Sequence, residues 1–457
     1  MLPIVTPEEM RAIDAAATVP VEALIERAGS AVAWAAVHML GGTYGRRVVV
    51  IAGRGNNGND GRVAARRLAA RGVTVRVIEA GDVPDVLPAC DLVIDAAYGT
   101  GFHGSWPAPD AGRAPVLAVD IPSGVDGLTG ASGGRVLAAE RTVVLGALKP
   151  GNLFPPGAQW GGTIEVADIG LECSSSSHLV QRLDVQRWWH PREADAHKWR
   201  ASVRVVAGSP GMSGAAHLSA SAALRSGAGM VHLSTPGATG DGGPHEYVQH
   251  PVPDQAWGAA VLGSLDRFQS LVVGPGLGRS DDTVASVRDV LRQSPVPVVV
   301  DGDGLFALAW SNEGARPILR DRRAPTVLTP HDGEYALLRG RKTDVDRIAS
   351  ARELANELGV VVLLKGPATV VADPGGDVLV VTAGDDRLAT AGTGDVLSGM
   401  IGAFVAQGMS AFHAAAAGAW VHGRAARLGA RHGLIASDLL ALLPQVLATV
   451  AEGAPGG

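Results

Sequence analysis

The chain has 457 residues, of which 46% are hydrophobic and 18% are charged, and its formal net charge is -6. This length exceeds that of an ordinary single domain and the apolar content suffices for filled cores, so the composition predicts two folded domains and argues against disorder. The charge balance, without a long basic run, gives no reason to expect nucleic acid as a partner. Cys90 and Cys173 are the only cysteines, which excludes a disulfide framework and a multi-cysteine zinc site and fits a reducing cytoplasm.

The first residues and the hydropathy pattern bear on where in the cell the protein is expected. Met1 to Glu9 lack a basic segment followed by an apolar one, so no signal peptide is expected. No uninterrupted apolar run reaches membrane-spanning length, so no membrane partner is expected. A cytoplasmic location is therefore predicted.

The first half of the chain alternates predicted strands with predicted helices. Thr6-Pro7-Glu8-Glu9 has the N-cap, the proline and the acids that open a helix, and a second helix is predicted from Gly58 to Arg71. Apolar runs predict buried strands at 47–52, 73–78, 92–95, 115–120 and 142–145. Strands that alternate with helices predict a parallel, doubly wound sheet.

The loop after the first of these strands is rich in glycine and asparagine. Gly53, Gly55 and Gly58 form a G-x-G-x-x-G pattern, with Glu79 at the distance typical of a dinucleotide-binding fingerprint. The consecutive amides Asn56 and Asn57 are not required by such a loop. Their oxygens could coordinate a cation or orient a substrate, or asparagine could simply suit left-handed turn geometry.

Two further loops begin with an aspartate at the end of a predicted strand. Asp95 precedes a glycine-rich turn, and Asp120 precedes a turn that Pro122 stiffens and that presents Ser123. Each acid could be only a strand-terminating cap. Two such acids at neighbouring strand ends also supply hard oxygen ligands for a cation and one candidate acid/base group.

Two of these segments resemble a known family. Gly55-Asn56-Asn57-Gly58-Asn59-Asp60-Gly61 and Asp120-Ile121-Pro122-Ser123-Gly124 are similar to the signature motifs of NAD(P)H-hydrate epimerase, and the resemblance covers most of residues 1 to about 170. It implies a potassium ion held by Asn57, Asp95 and Ser123, and an acid/base role for Asp120. The hydrate-binding positions that it implies are Asn56, Asn57, Gly58, Asn59, Asp60, Gly99, Thr100, Gly101, Phe102, His103, Gly104, Ser105 and Asp120. Asn59 departs from the family, which usually has glycine there.

A polar stretch without periodicity, 172–178, predicts a linker between domains 1–178 and 179–457. Trp188 and Trp189 are expected to pack in the second domain. That domain has predicted strands at 203–208, 230–233, 271–273, 298–300, 326–328 and 360–364, and each of them ends in a loop with Gly, Pro or a charged residue. This pattern predicts a second α/β domain whose strand ends converge on one site.

The stretch Ala391-Gly392-Thr393-Gly394-Asp395 is the strongest chemical signal in the second half. Its glycines leave backbone N–H groups open at the start of a predicted helix, which suits a phosphate. Asp395 beside that phosphate fits a base that deprotonates an attacking hydroxyl, although it could instead be a helix cap. Lys365, after a buried strand, could neutralise phosphate charge.

The second half resembles NAD(P)H-hydrate dehydratase, which has a ribokinase-like fold, over about 190 to 450. The segments that carry the resemblance are 274–278, 328–334, 365–369 and 391–395. It implies contact with the hydrate for Ala215, Gly276 or Gly278, His331 and Asp395. It implies contact with an adenine nucleotide, ADP in bacterial members and used with magnesium, for Lys365, Gly366, Pro367, Ala368, Thr369 and Gly394. Gly302 and Gly304 stand where the family tends to have alanine.

The two motif sets in one chain are similar to the bifunctional NAD(P)H-hydrate repair enzymes. The resemblance implies that the first domain interconverts the R and S hydrates and the second dehydrates the S form with ADP, giving AMP and phosphate. The implied partners are the NADH and NADPH hydrates and ADP, and a homo-oligomer is expected. Alternatives are a ribokinase-like kinase of a vitamin precursor, a scaffold protein that has lost activity, and a redox dehydrogenase using the G-x-G-x-x-G loop.

Overall fold

The computed structural model describes residues 1–102, 104–190, 195–238, 246–310 and 314–451. The chain divides into two compact units, an N-terminal unit over Leu2–Ser177 and a C-terminal unit that begins at His178. Within the described ranges, no helix is long and apolar enough to cross a lipid bilayer.

The N-terminal unit is built on a parallel sheet in the order β3-β2-β4-β5-β6-β7. Its elements are β1 Leu2–Pro3, α1 Pro7–Ala16, α2 Val21–Leu40, β2 Arg47–Ala52, α3 Asn56–Ala69, β3 Thr74–Glu79, β4 Leu92–Ala96, β5 Val116–Val119, β6 Arg141–Leu145, α4 Pro150–Leu153 and β7 Thr163–Ala167. The predicted doubly wound α/β fold is confirmed. The sequence pattern did not reveal β7, whose residues are only partly buried.

Strand β2 is continuously apolar because both of its faces are buried. Val48 and Val50 pack in one core cluster with α2 and α3, whereas Val49 and Ile51 pack in the cluster on the opposite face. A parallel sheet with both faces covered buries every residue of a central strand, so alternation disappears.

The glycine loop after β2 is held by close backbone packing. A Cβ on Gly58 would lie 1.9 Å from the Gly53 carbonyl oxygen, and one on Gly53 would lie 1.9 Å from the Ala97 oxygen. Helix α3 begins at Asn56, two residues before the predicted start. The upstream helix start is confirmed, because Thr6 and Glu9 form a reciprocal capping box at α1.

The C-terminal unit contains a larger sheet, with strands in the order β17-β16-β15-β14-β13-β12-β9-β10-β11. Its elements, after β8 Ser177–Leu179 at the boundary, are α5 Arg182–Trp188, β9 Ser202–Val206, α6 Ser213–Arg225, β10 Met230–Ser234, β11 Val248–Gln249, α7 Trp257–Leu262, β12 Ser270–Val273, α8 Asp281–Gln293, β13 Val298–Val300, α9 Asp303–Ala309, α10 Arg316–Leu319, β14 Thr326–Leu328, α11 Asp332–Arg339, α12 Arg347–Leu358, β15 Val361–Leu364, β16 Thr369–Ala372, β17 Val378–Val381, α13 Thr393–Ala406, α14 Ala411–Leu428 and α15 Ala436–Ala451. Strands β9 to β15 pair in parallel, and β16 and β17 continue the sheet antiparallel.

The segment predicted as a linker is ordered at its end. The Ser175 hydroxyl donates to the Ile4 carbonyl at 2.6 Å, and Ser177 accepts from the Ile4 N–H at 2.8 Å. The packing role of the tryptophan pair is confirmed: Trp188 stacks on His413, and Trp189 packs edge-on against Phe404.

Helix α13, which carries the Gly-Thr-Gly-Asp stretch, packs closely on α6. A Cβ on Gly399 would lie 2.0 Å from the Ser219 backbone oxygen. The glycine therefore sets the distance between the two helices. In addition, the Ser219 hydroxyl donates to the Asp395 backbone oxygen at 2.9 Å, so this contact also holds the first turn of α13.

We predict that Gly399→Ala lowers the free energy of unfolding of the C-terminal unit by about 1–3 kcal/mol, because the two helices must move apart. Gly214→Ala is the matched control, since a Cβ there meets no atom within 4 Å and alanine favours the helix. Urea denaturation of both variants, followed by circular dichroism, provides the comparison. Equal stability of the two variants would contradict the packing assignment.

Candidate active sites

The N-terminal unit contains a cavity of about 750 Å³ at the carboxyl ends of its central strands. Helices α1 and α2 close one side and the glycine loop before α3 forms another. The predicted hydrate-binding residues that line it are Asn56, Asn57, Asp60, Gly99, Thr100, Gly101, Phe102 and Asp120. Four others, Gly58, Asn59, Gly104 and Ser105, are not among the lining residues, and His103 lies outside the described residues.

Asp120 is held by a buried ion pair. Its Oδ1 lies 2.5 Å from Lys149 Nζ and accepts from the Leu145 N–H at 3.2 Å. Lys149 is 1% exposed, and its ammonium also donates to the Leu145 carbonyl. The backbone of Asp120 has a φ of 69°, a conformation that non-glycine residues rarely adopt, and Asn152 donates to its carbonyl oxygen. The ion pair and this bond fix the carboxylate at the cavity wall.

A second carboxyl group in the cavity has no such partner. Asp60, on α3, is 4% exposed, and it forms no hydrogen bond or ion pair through its side chain in the part of the chain that the structure describes. Burial, and then the charges of Asp120 and Asp14, raise the pKa of Asp60 to about 8. Burial also raises the pKa of Asp14, with the Lys149 charge opposing and the Asp120 charge adding to the effect. Asp60 therefore keeps its proton to higher pH than an exposed aspartate does.

The predicted potassium ligands lie around the loop after β4. Ser123 binds Asp95 through its hydroxyl at 2.6 Å and its N–H at 2.9 Å. The Asn57 side chain lies against Gly99, two peptide units from Ala97, whose N–H donates to Asp95. Asp95 is fully buried, and burial raises its pKa despite the Ser123 bonds. Among the described residues, Asp95 forms no salt bridge. A cation bound here would therefore meet a carboxylate that no lysine or arginine neutralises, and carboxylate, hydroxyl and amide oxygens are available as ligands.

The dinucleotide fingerprint is altered at its acidic residue. Glu79 accepts from Arg62 Nη2 at 2.6 Å, and the same arginine donates to the Gly53 carbonyl. In an ordinary dinucleotide site this acid binds a ribose hydroxyl. Here it pairs with a side chain of α3, and Arg62 also explains the position of Asn59, whose Oδ1 accepts from it at 3.4 Å.

In the C-terminal unit, Asp395 lies in the first turn of α13, whose N-cap is Gly392 with a φ of 88°. The N-cap position belongs to Gly392, and the Asp395 side chain forms no hydrogen bond among the described residues, so the alternative of Asp395 as a helix cap is wrong. Burial and the charge of Asp301 raise the pKa of Asp395 to about 7, while Lys365 lowers it. The carboxyl group can therefore take up a proton near neutral pH.

Lys365 lies beside the glycine turn. Its Nζ is 2.8 Å from Asp301 Oδ1 and 3.6 Å from Glu334 Oε2, and a Cβ built on Gly394 would lie 3.5 Å from it. Ser398 donates to the other Asp301 oxygen at 2.5 Å. Burial opposes and Asp301 favours the charged lysine, and the net effect raises the pKa of Lys365. A permanent cation therefore borders the N-terminal end of α13.

The remaining predicted hydrate contacts are Ala215, Gly276, Gly278 and His331. Gly276 abuts Ala215, because a Cβ on that glycine would lie 2.9 Å from the alanine Cβ, and the Gly278 N–H donates to Asp303 at 2.9 Å. His331 caps α11 through Nδ1 and forms a capping box with Glu334.

The segment from Lys365 to Thr369 is fixed by Arg347. This arginine donates to the Lys365 carbonyl at 2.9 Å and pairs with Asp332 at 2.7 Å. A Cβ on Gly366 would lie 2.7 Å from its guanidinium, which explains the glycine. Pro367 and Ala368 follow, and Thr369 begins β16.

Both units are similar to known protein families. Residues 21–85 and 79–151 match the family described as YjeF-related protein N-terminus, and residues 203–446 match the family NAD(P)H-hydrate dehydratase. The bifunctional NAD(P)H-hydrate repair enzyme of Moorella thermoacetica is 36% identical over 98% of this chain and 97% of its own length. The chain belongs to the family of bifunctional NAD(P)H-hydrate repair enzymes.

Other members agree with this assignment. The bifunctional NAD(P)H-hydrate repair enzyme of Mycobacterium leprae is 39% identical, and the match covers 91% of each chain. A crystal structure of an ADP/ATP-dependent NAD(P)H-hydrate dehydratase from Bacillus subtilis, co-crystallised with ATP and Mg²⁺, matches with a TM-score of 0.50 and 29% identity. That match covers 59% of this chain and 97% of the other. The predicted ribokinase-like fold is confirmed, and the fused N-terminal match argues against a vitamin-precursor kinase.

Several charged groups of these sites were not among the residues predicted to form them, and Asp14, Lys149 and Glu334 are examples. Asp14 lies one turn after Met10 on α1, and both line the cavity. Their spacing on that helix is a sequence signal that the two side chains share a face. Lys149 follows an apolar run and directly precedes Pro150 at the start of α4, an unusual position for a lysine that is 1% exposed. Neither residue lies in a recognisable motif.

We predict that Lys149→Met lowers the free energy of unfolding of the N-terminal unit by about 3–5 kcal/mol, because it leaves Asp120 buried without its cation. The double variant Lys149→Met/Asp120→Asn should recover part of this loss. Arg11→Met, at an exposed cation of the same unit, is the control and should change stability by less than about 0.5 kcal/mol. A single variant as stable as the double one would show that the pair is not coupled.

Proposed function

We propose that the N-terminal unit interconverts the R and S hydrates of NADH and NADPH, and that the C-terminal unit dehydrates the S form with ADP. One observation carries the proposal. Asp395, a carboxyl group of raised pKa without an ion-pair partner in the described ranges, lies in one site with the glycine turn at Gly394 and with Lys365. A group with these properties suits proton removal from a hydroxyl that attacks a phosphate.

In the proposed dehydration, Asp395 takes the proton of the ring hydroxyl. The oxygen then attacks the terminal phosphate of ADP, and AMP leaves. The backbone N–H groups near Gly394 and the Lys365 ammonium stabilise the negative charge of the transferred phosphate. The ring proton on the neighbouring carbon and the phosphate ester are then eliminated, which gives the dihydronicotinamide and inorganic phosphate.

Magnesium fits the acidic residues beside Lys365. Burial raises the pKa of Glu334 although Lys365 opposes this, so its carboxylate gains from a nearby cation. The structure holds no group of three His, Cys, Asp or Glu side chains with metal-binding spacing in its described ranges. Magnesium usually keeps several waters and binds phosphate oxygens together with one or two carboxylates. When bound, it would neutralise phosphate charge.

In the N-terminal unit, Asp120 acts as acid/base on the substrate, and Asn57, Asp95 and Ser123 hold potassium. The cavity volume of about 750 Å³ is sufficient for a nicotinamide ring with its ribose. The ion, bound to the loops that border the cavity, would orient the loops and polar groups of the substrate without taking part in proton transfer.

We predict that Asp395→Asn abolishes dehydration while interconversion of the R and S hydrates continues. Dehydration is measured as recovery of dihydronicotinamide absorbance, and interconversion by chromatography without nucleotide. Asp386→Asn, an exposed aspartate that pairs with Arg431, is the control and should retain both activities. Loss of both activities in a folded Asp395→Asn protein would overturn the two-site assignment.

We predict that kcat/KM for dehydration rises with pH through about 7 and is flat above it. Because the pKa of Asp395 is raised to about 7, the basic form is complete above that value and is lost about tenfold per pH unit below it. Initial rates between pH 5.5 and 9, with ADP and magnesium saturating, provide the profile. A profile without an acidic limb would exclude Asp395 as the base.

A further inference from the structure

The N-terminal cavity brings together four ionisable groups from different elements. Asp60 comes from α3, Asp14 from α1, Asp120 from the end of β5 and Lys149 from the start of α4, and the Arg54 side chain completes the charged lining. Of these groups, as far as the structure describes the chain, only Asp120 and Lys149 form an ion pair, at 2.5 Å. The two central carboxyl groups therefore have different environments: Asp120 is paired with the ammonium group of Lys149, and Asp60 has no such partner among the described residues.

Asp60 is the unusual member of this set. It is 4% exposed, it lines the cavity, and its side chain has no hydrogen-bond or ion-pair partner in the described ranges. Burying an unpartnered carboxyl group is unfavourable, and an uncharged, protonated form reduces the penalty. The direction of its pKa, raised to about 8, agrees with this form at neutral pH. Two carboxyl groups with opposed environments identify an acid and a base.

We propose that Asp60 is the general acid of the N-terminal reaction and Asp120 its base, acting on the ring nitrogen and the hydroxyl of the hydrate respectively. This inference rests on the proposed interconversion of R and S hydrates. The carbon that is inverted carries a hydroxyl and is bonded to the ring nitrogen. Such a carbon can be inverted by opening and closing the ring.

The proposed step balances without a further reactant. Asp120 takes the hydroxyl proton, the oxygen forms a carbonyl bond, and the carbon–nitrogen bond breaks with its electron pair passing to nitrogen. Asp60 gives its proton to that nitrogen. Rotation of the open-chain aldehyde presents its other face, and nitrogen then adds to the carbonyl carbon. The nitrogen proton returns to Asp60, and Asp120 returns its proton to the oxygen.

The test is Asp60→Asn in the full chain, assayed with the pure R hydrate and no nucleotide, so that only interconversion is observed by chromatography. Asparagine keeps the shape and can donate a hydrogen bond, but it cannot transfer a proton. We expect kcat to fall roughly 100-fold or more with KM changed less than about 3-fold. An unchanged kcat, or a raised KM alone, would overturn the assignment and leave Asp60 as a binding residue.

The pH profile separates proton transfer from a structural role. Since the protonated form of Asp60 is the active one, kcat of the wild-type protein should fall above about pH 8, and this limb should vanish in Asp60→Asn. Asp14→Asn is the matched control: it removes a charge that raises the pKa of Asp60, so the limb should persist and move to lower pH. A basic limb that persists unchanged in Asp60→Asn would overturn the proposal.

The outcomes also distinguish this inference from the proposed function. If the wild-type protein does not interconvert the hydrates, the proposed function of the unit fails. If the wild-type protein does so and Asp60→Asn does so equally well, only the role of Asp60 fails. Recovery of absorbance from the S hydrate with ADP and magnesium verifies that each variant retains a folded C-terminal unit.

Discussion

Both units bury carboxyl groups around their sites and neutralise only some of them. Asp120 and Asp301 each pair with a lysine, at 2.5 and 2.8 Å. Asp60 and Asp395 form no salt bridge among the described residues, and their pKa values are raised to about 8 and about 7. Each site thus contains a lysine–carboxylate ion pair and a carboxyl group of raised pKa that forms no such pair, and the proposed chemistry depends on this division.

The loops beside these carboxyl groups pack backbone against backbone where glycine leaves no side chain between them. Glycine permits the approach: a Cβ on Gly53 or on Gly274 would lie 1.9 Å from a neighbouring carbonyl oxygen. In the C-terminal unit, Gly394 likewise has no side chain at the start of α13, so the helix terminus stays open next to Lys365. Parallel strands deliver the acids to one edge of each sheet, and the glycine loops keep that edge accessible to a ligand.

Much of this arrangement could be predicted from local sequence. The buried strands, the glycine loops and the strand-end aspartates follow from apolar runs and turn residues, and the resemblance to a known family supplied the activities and the roles proposed for Asn57 and Ser123. Lys149 could not be predicted, because its position depends on the packing of α4 against the sheet, and for Asp14 the sequence offers only its spacing from Met10 on α1. The hydrogen bonds of Glu79 likewise depend on Arg62, one helix away, which no motif indicates.

The most direct test of two cooperating sites is recovery of dihydronicotinamide absorbance from a mixture of R and S NADH hydrates, with purified protein, ADP, magnesium and potassium. The account predicts recovery from all of the hydrate, since the N-terminal unit converts the R form as the C-terminal unit consumes the S form. Recovery that stops with the R form left over would contradict a working N-terminal site. No recovery with ADP or ATP would contradict the repair function altogether.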